Sequence, residues 1–134
     1  MLVDSNIFLE VELAQERGQV SRKFLSMLSK GEEKAFTTEF HLDNVTLVME
    51  NYGRGWQDIA VFLTSIIQYE GIKIYPLSIL DKIGAASVMR EEGLDFDDAL
   101  LAYAAKKESS KTIVSYDQDF DRVSWLTRRE PEDF

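Results

Sequence analysis

The chain has 134 residues, 45% of them hydrophobic and 11% aromatic, which is enough for one domain spanning residues 1–134 with its own core. There is no cysteine, so disulfides, thiol nucleophiles and thiolate metal sites are excluded and a reducing cytoplasm is the expected setting. A net charge of -9 argues against holding nucleic acid mainly through phosphate neutralisation.

In chain order, Met1 to Val3 reads as a short apolar strand. Asp4-Ser5-Asn6 is a turn or helix-cap cluster leading into Ile7, Phe8 and Leu9. The spacing of Val20, Phe24, Leu25 and Leu28 predicts a helix over Glu16 to Ser29, with Gly31 just past its end. Lys34 to Thr37 is a second strand. Thr38 then caps a helix carrying Phe40, Leu42, Val45, Leu47 and Val48, which stops near Gly53-Arg54-Gly55. Trp56, Ile59, Phe62, Leu63, Ile66 and Ile67 repeat at three and four, the pattern of an amphipathic helix. Ile72 to Pro76 is a third strand, and Ser78 with Asp81 forms a capping box opening a helix that Gly93 ends near Glu92. Asp95 caps the next helix, whose Ala99, Leu100, Ala102, Tyr103 and Ala105 make a close-packing surface. Thr112 to Ser115 is a fourth strand, Ser124 to Thr127 a short edge strand, and Arg129 to Phe134 a loose polar tail. No apolar run reaches membrane length and no basic-then-apolar leader opens the chain, so a soluble protein without a membrane partner is expected.

Short apolar strands separated by helices indicate an α/β domain with a parallel sheet covered on both faces. Loops leaving the carboxyl ends of such strands gather at one edge, where binding sites form. Asp4 leaves strand one and Asp117 leaves strand four, while Asp98 lies in the first turn of the helix before strand four and Asp43 and Asn44 lie in the second turn after strand two. Each has a quieter reading: Asp4 as a helix cap, Asp98 as the far end of a capping box led by Asp95, Asp117 as a turn residue. Convergence at one edge is what independent caps need not produce. Clustered carboxylates repel by roughly 1 kcal/mol per pair in water and more when desolvated, so they call for a counterion. An oxygen-seeking cation such as Mg²⁺ or Mn²⁺ fits, because it inverts the local field, welcomes phosphate and activates water without a protein nucleophile.

Several neighbours are weighed the same way. Only one of Asp97 and Asp98 is expected to point into the crevice, Asp119 is an auxiliary or water-mediated ligand, and Asp121 is a solvated turn residue. Ser115 either hydrogen-bonds a ligand carboxylate or finishes its strand. His41 is the only histidine, which rules out a histidine-based metal site and makes packing its expected role. Gly53-Arg54-Gly55 is a helix break rather than a phosphate loop, and Trp56 and Phe62 are core or partner-contact residues.

Four stretches, in order and at these spacings, resemble the PIN-domain family and within it the VapC-type toxins: Leu2-Val3-Asp4-Ser5-Asn6-Ile7-Phe8, Thr37-Thr38-Glu39-Phe40-His41-Leu42-Asp43-Asn44-Val45, Gly93-Leu94-Asp95-Phe96-Asp97-Asp98-Ala99-Leu100 and Ile113-Val114-Ser115-Tyr116-Asp117-Gln118-Asp119-Phe120. The resemblance implies a three-layer α/β/α domain with a parallel sheet of about five strands in the order 3-2-1-4-5. It implies Asp4, Asp98 and Asp117 as metal-binding acids, Asp119 as a further catalytic acid, and RNA phosphodiester hydrolysis with Mg²⁺ or Mn²⁺. The implied partners are an RNA substrate and a small antitoxin protein, with a homodimer left open. One departure stands out, since the family carries a glutamate where this chain has Asn44. The amide accepts a hydrogen bond through its carbonyl oxygen but brings no charge and cannot act as a base. Asp43, about 100° away around the helix, replaces that acid only if the helix rotates. The alternative reading is therefore a weakened or inactive PIN-like protein-interaction module. A phosphorylatable receiver-type domain fits poorly, because its acid pair, central aspartate and late lysine do not fall into place.

Overall fold

A computed structural model describes residues 1–134. Five parallel strands form one sheet in the order β3-β2-β1-β4-β5: β1 is Leu2–Val3, β2 Ala35–Thr38, β3 Ile72–Tyr75, β4 Thr112–Val114 and β5 Thr127–Arg129. Leu2 is registered with Phe36 on one side and Ile113 on the other, and Val3 with Val114. Side chains alternate across a sheet with period two, so these short strands serve two cores. Leu2, Phe36 and Ile113 pack on one face with helices α5 (Ile79–Glu92) and α6 (Phe96–Lys107). Val3, Ala35 and Val114 pack on the other with α1 (Ser5–Glu12), α2 (Gly18–Ser29), α3 (Glu39–Asn51) and α4 (Trp56–Ile67). The result is the expected three-layer α/β/α architecture and strand order.

The α5–α6 layer explains the small residues of α6. Ala99, Ala102, Ala104 and Ala105 are all fully buried, letting the helix sit close to the sheet and to α5. Across that contact a Cβ at Gly84 would lie 2.2 Å from the Tyr103 ring, so only glycine permits the approach. Gly93, at φ 71°, ends α5 in the left-handed region that glycine adopts without strain.

Three sequence expectations are corrected. The helix expected from Glu16 begins only at Gly18, while Asp4-Ser5-Asn6, read as a turn or a helix cap, does open a helix, α1, which runs to Glu12. The edge strand lies at Thr127–Arg129 rather than Ser124 to Thr127, because Val123 and Leu126 turn into the core beside α6 before the ladder starts. The tail is not loose: Pro131–Asp133 makes a 3₁₀ turn, and the Phe134 ring lies 4.9 Å from that of Phe24 with the Arg129 guanidinium 4.0 Å over it. An aromatic terminal residue brings enough apolar area to dock a segment that its charges alone would leave free.

Candidate metal centre

β1 and β4 are neighbours, and Asp4 directly follows β1 at the carboxyl edge of the sheet, its backbone N–H donating to the Val114 carbonyl at 3.1 Å. Its backbone occupies the position before α1, yet its side chain makes no cap bond, so the capping reading of Asp4 does not hold. The carboxylate instead accepts from Ser115 Oγ at 2.6 Å, Asn6 Nδ2 at 2.7 Å and Ser5 Oγ at 3.1 Å. Asp4 is only 5% exposed, and desolvation pushes its pKa up while the Ser115 hydroxyl pulls it down. Ser115 thus does bond a site carboxylate, and its Oγ also accepts from the Asp117 backbone N–H at 2.9 Å, joining the exits of β1 and β4.

Asp95 accepts from the Asp98 backbone N–H at 3.0 Å, which caps α6 as expected. The Asp98 carboxylate does not return the bond to close a box, but faces other acids. Desolvation first, then the charges of Asp95, Asp4, Asp117 and Asp97, push its pKa up to about 8, and every influence acts in the same direction. Burial and four neighbouring carboxylates thus act together against the charged form of Asp98.

Asp117 leaves β4 and accepts from the Asp119 backbone N–H at 2.8 Å, starting the 3₁₀ turn Gln118–Arg122. The turn reading of Asp117 is therefore correct, and one of its two oxygens is committed to it. The same turn swings Asp119 back so that carboxylate oxygens of Asp98, Asp117 and Asp119 all lie within 4.8 Å of one another. Asp119 meets a cation that the sequence reading missed, Arg122, whose Nη2 donates to its Oδ1 at 2.6 Å. The signal was available, because residues three apart on a helical turn are neighbours. Asp121 is held elsewhere, in an ion pair with Arg128 at 2.9 Å.

Asp97 turns the other way around α6, as expected for adjacent helical residues. Its Oδ1 lies 3.0 Å from His41 Nε2 and accepts from Asn44 Nδ2 at 3.0 Å. His41 is fully buried, a packing residue with both ring nitrogens engaged, since Nδ1 lies 2.5 Å from Thr38 Oγ1. Asn44 sits between α3 and α6, bonded through its amide rather than through its oxygen. Asp43 is exposed and lines a small hollow with Glu39, Phe40, Leu77 and Lys82, apart from the Asp98–Asp117–Asp119 group.

The sequence set and the structural set overlap without coinciding. Asp98 and Asp117 belong to both; Asp119, expected as an auxiliary acid, joins them within reach of one ion, while Asp4 is buried, lies outside that group and acts on Asp98 through its charge. The donors are carboxylate oxygens, a set that suits a hard divalent cation and no thiolate- or imidazole-seeking one. The carboxylates that add to burial in raising the Asp98 pKa make a negative field that such an ion would offset, so the residues fit it.

The PIN domain family model matches residues 1–126. Among solved structures, VapC20 of Mycobacterium tuberculosis, described as a Sarcin-Ricin loop cleaving toxin, is similar at a TM-score of 0.74 and 14% identity, with 93% of this chain and 95% of that one covered. A toxin-antitoxin complex from Klebsiella pneumoniae gives 0.71 at 14% identity, covering 97% and 96%. VapBC2 of Rickettsia felis, bound to a DNA fragment from its promoter, gives 0.69 at 16% identity, covering 96% of each chain. At such identities the likeness is one of fold, and no curated protein matches the sequence.

Proposed function

The chain belongs to the PIN-domain family, and from that membership we propose that it is a metal-dependent ribonuclease, the toxin of a toxin-antitoxin pair. The observation that carries the reading is the convergence of Asp98, Asp117 and Asp119 within reach of one ion, with buried Asp4 acting on Asp98 through its charge. Asp98 and Asp117 would hold Mg²⁺ or Mn²⁺ together with Asp119, and Asp4 would supply charge from its buried position. When bound, the ion supplies Lewis-acid activation of water and neutralisation of phosphate charge.

The protein's own residues do the rest. Ser5, Asn6 and Ser115 hold the Asp4 carboxylate in one orientation, so its charge is placed before any ligand arrives. Asp98, whose pKa burial and neighbouring carboxylates push up to about 8, would have to release its proton for a cation to be held there. Binding of RNA, net repelled by a chain of charge -9, then depends on that cation.

A small antitoxin is the proposed partner in the cell, by analogy with the complexes formed by the structural relatives. Exposed apolar side chains supply contact area, with Trp56 and Ile67 on α4 at 76% and 73% exposure and Ile79, Leu80 and Ile83 grouped on α5, where a second copy is the other candidate. No helix is long and apolar enough to cross a membrane, and a cytoplasmic setting is part of the proposal.

Calorimetric titration of Mn²⁺ into the wild type and Asp98→Asn, followed by incubation with a mixed RNA pool, tests the enzyme. Binding lost in the variant together with manganese-dependent cutting is the expected result. A wild type that neither binds Mn²⁺ nor cuts RNA makes the chain the interaction module that neutral Asn44 favours.

A further inference from the structure

Two donors from one face of α3 converge on one oxygen of α6. His41 and Asn44 are three residues apart, and their Nε2 and Nδ2 atoms both lie 3.0 Å from Asp97 Oδ1. The chain of bonds continues inward. The Thr38 hydroxyl accepts from the His41 backbone N–H at 3.2 Å, which leaves its own hydrogen free to donate to Nδ1. With Nδ1 accepting, Nε2 carries the proton and donates to Asp97, both to Oδ1 and to the backbone carbonyl at 3.2 Å. His41, fully buried, is thereby satisfied at both ring nitrogens. The Thr-His-Asp order is not a nucleophile relay, because Thr38 is fully buried and spent on capping α3.

Asp97 and Asp98 are the second and third residues of α6, so their side chains leave the helix about 100° apart. The start of α6 has no closed capping box, only one side-chain cap, the bond from the Asp98 backbone N–H to the Asp95 carboxylate. Fixing Asp97 fixes the rotation of the first turn and so the direction in which Asp98 points. It also keeps a fifth acid from swinging into a group that already repels itself.

We infer that Asn44 and His41 are positioning residues that tether Asp97 to α3 and thereby aim the Asp98 carboxylate at the cation. The inference rests on the metal-nuclease reading, and it assigns the neutral amide at 44 a function as a donor. An acid at the same place would face the Asp97 carboxylate.

The test compares Asn44→Ala, Asn44→Glu and the charge-conserving swap Asn44→Asp/Asp97→Asn in three measurements: Mn²⁺ affinity, melting of the metal-free protein, and kcat and KM on RNA. Asn44→Ala is expected to weaken Mn²⁺ binding about tenfold and to lower kcat with KM unchanged. Asn44→Glu is expected to melt lower without metal and to gain no rate. In the swap the amide stands on α6, where it accepts from His41 and donates to the carboxylate now carried by α3, and Mn²⁺ affinity is expected to return to within a few-fold of wild type. A merely structural link would move melting and leave Mn²⁺ affinity in place, and that pattern overturns the inference. So does an Asn44→Glu protein that binds Mn²⁺ more tightly and cuts faster, because position 44 is then a vacant ligand. If the wild type binds no Mn²⁺, the nuclease reading fails. The tether is then read from metal-free melting of Asn44→Ala, Asp97→Ala and the double variant, where additive losses overturn it and non-additive ones leave a link without an ion to aim at.

Discussion

Asp81 and Asp98 hold the same position, the third residue, in consecutive helices, and each follows a residue that caps its helix. Asp81 is surrounded by donors: Ser78 N–H at 2.8 Å, Ser78 Oγ at 2.7 Å and Lys107 Nζ at 2.6 Å. These hold its pKa down to about 2, with Lys107 the largest influence. Asp98, partly desolvated and facing carboxylates instead of donors, rises to about 8. Local pattern is thus nearly the same in both, and surroundings decide. α5 starts where Lys107 of α6 can reach it, while α6 starts at the carboxyl edge of β1 and β4, where the other acids leave the sheet. One acid is compensated within the fold, and the other, on the metal-nuclease reading, would be compensated by a cation.

The sharpest way to break the comparison is Asp98→Asn. It is expected to cut manganese-dependent cleavage by roughly 10³-fold, the size of losing several kcal/mol of charge stabilisation. The metal-free protein is expected to behave in the opposite sense. A carboxyl group whose folded pKa is raised from 3.8 to about 8 favours the folded state less and less as pH rises from about 4 to about 8. Allowing for solvent at a half-exposed side chain, the loss is about 2 kcal/mol. Asp98→Asn removes it, so the variant melts higher at pH 8 and shows a flatter stability profile between those limits. A variant that melts much lower would make Asp98 a capping residue like Asp81.

Adding Mn²⁺ to the wild type should convert Asp98 into a compensated acid. At a concentration 100 times Kd the folded state gains about 2.7 kcal/mol, read as a rise in melting temperature. Because the Asp98 proton must leave, affinity is expected to climb up to about pH 8 and then level off. An affinity flat from pH 6 to pH 9 would place the ion away from Asp98.

Asp81→Asn is the mirror experiment. A carboxylate whose pKa is lowered from 3.8 to about 2 stabilises the fold above pH 4, and that stabilisation disappears as pH falls toward 2. The variant should melt several degrees lower at pH 7, with the gap to wild type closing below about pH 3. Cleavage should be unaffected, since Asp81 serves α5 and α6 and not the crevice.

How much of this was legible in the sequence follows the same division. Caps and breaks are local, so Thr38, Ser78, Gly93 and Asp95 were readable from their own neighbourhoods. The strand order came with the family resemblance, whereas the gathering of Asp4, Asp98 and Asp117 at one edge was already expected from the order of strands and helices. What could not be read is which donors meet which acids. Asp97 and His41 are 56 residues apart, Ser115 and Asp4 are 111 apart, and no periodicity joins them. The tail escapes a reading by composition because its residues are mostly polar, while the single ring of Phe134 decides its place against Phe24.

Arg122 offers the smallest and most discriminating change. Its pair with Asp119 is exposed, at 58% and 49% of the two side chains, and such pairs contribute at most about 1 kcal/mol because solvent screens them. Arg122→Gln should therefore shift melting by less than about 0.5 kcal/mol. The guanidinium is nonetheless the one charge that compensates part of the acid group, and an entering ion must share Asp119 with it. Removing it should tighten Mn²⁺ binding a few-fold and leave Asp98 more dependent on the ion, widening the contrast with Asp81. Weaker binding after Arg122→Gln would mean that Arg122 holds Asp119 in place for the cation instead of competing with it, and the acid group would then resemble the donor-ordered surroundings of Asp81 more than its charges suggest.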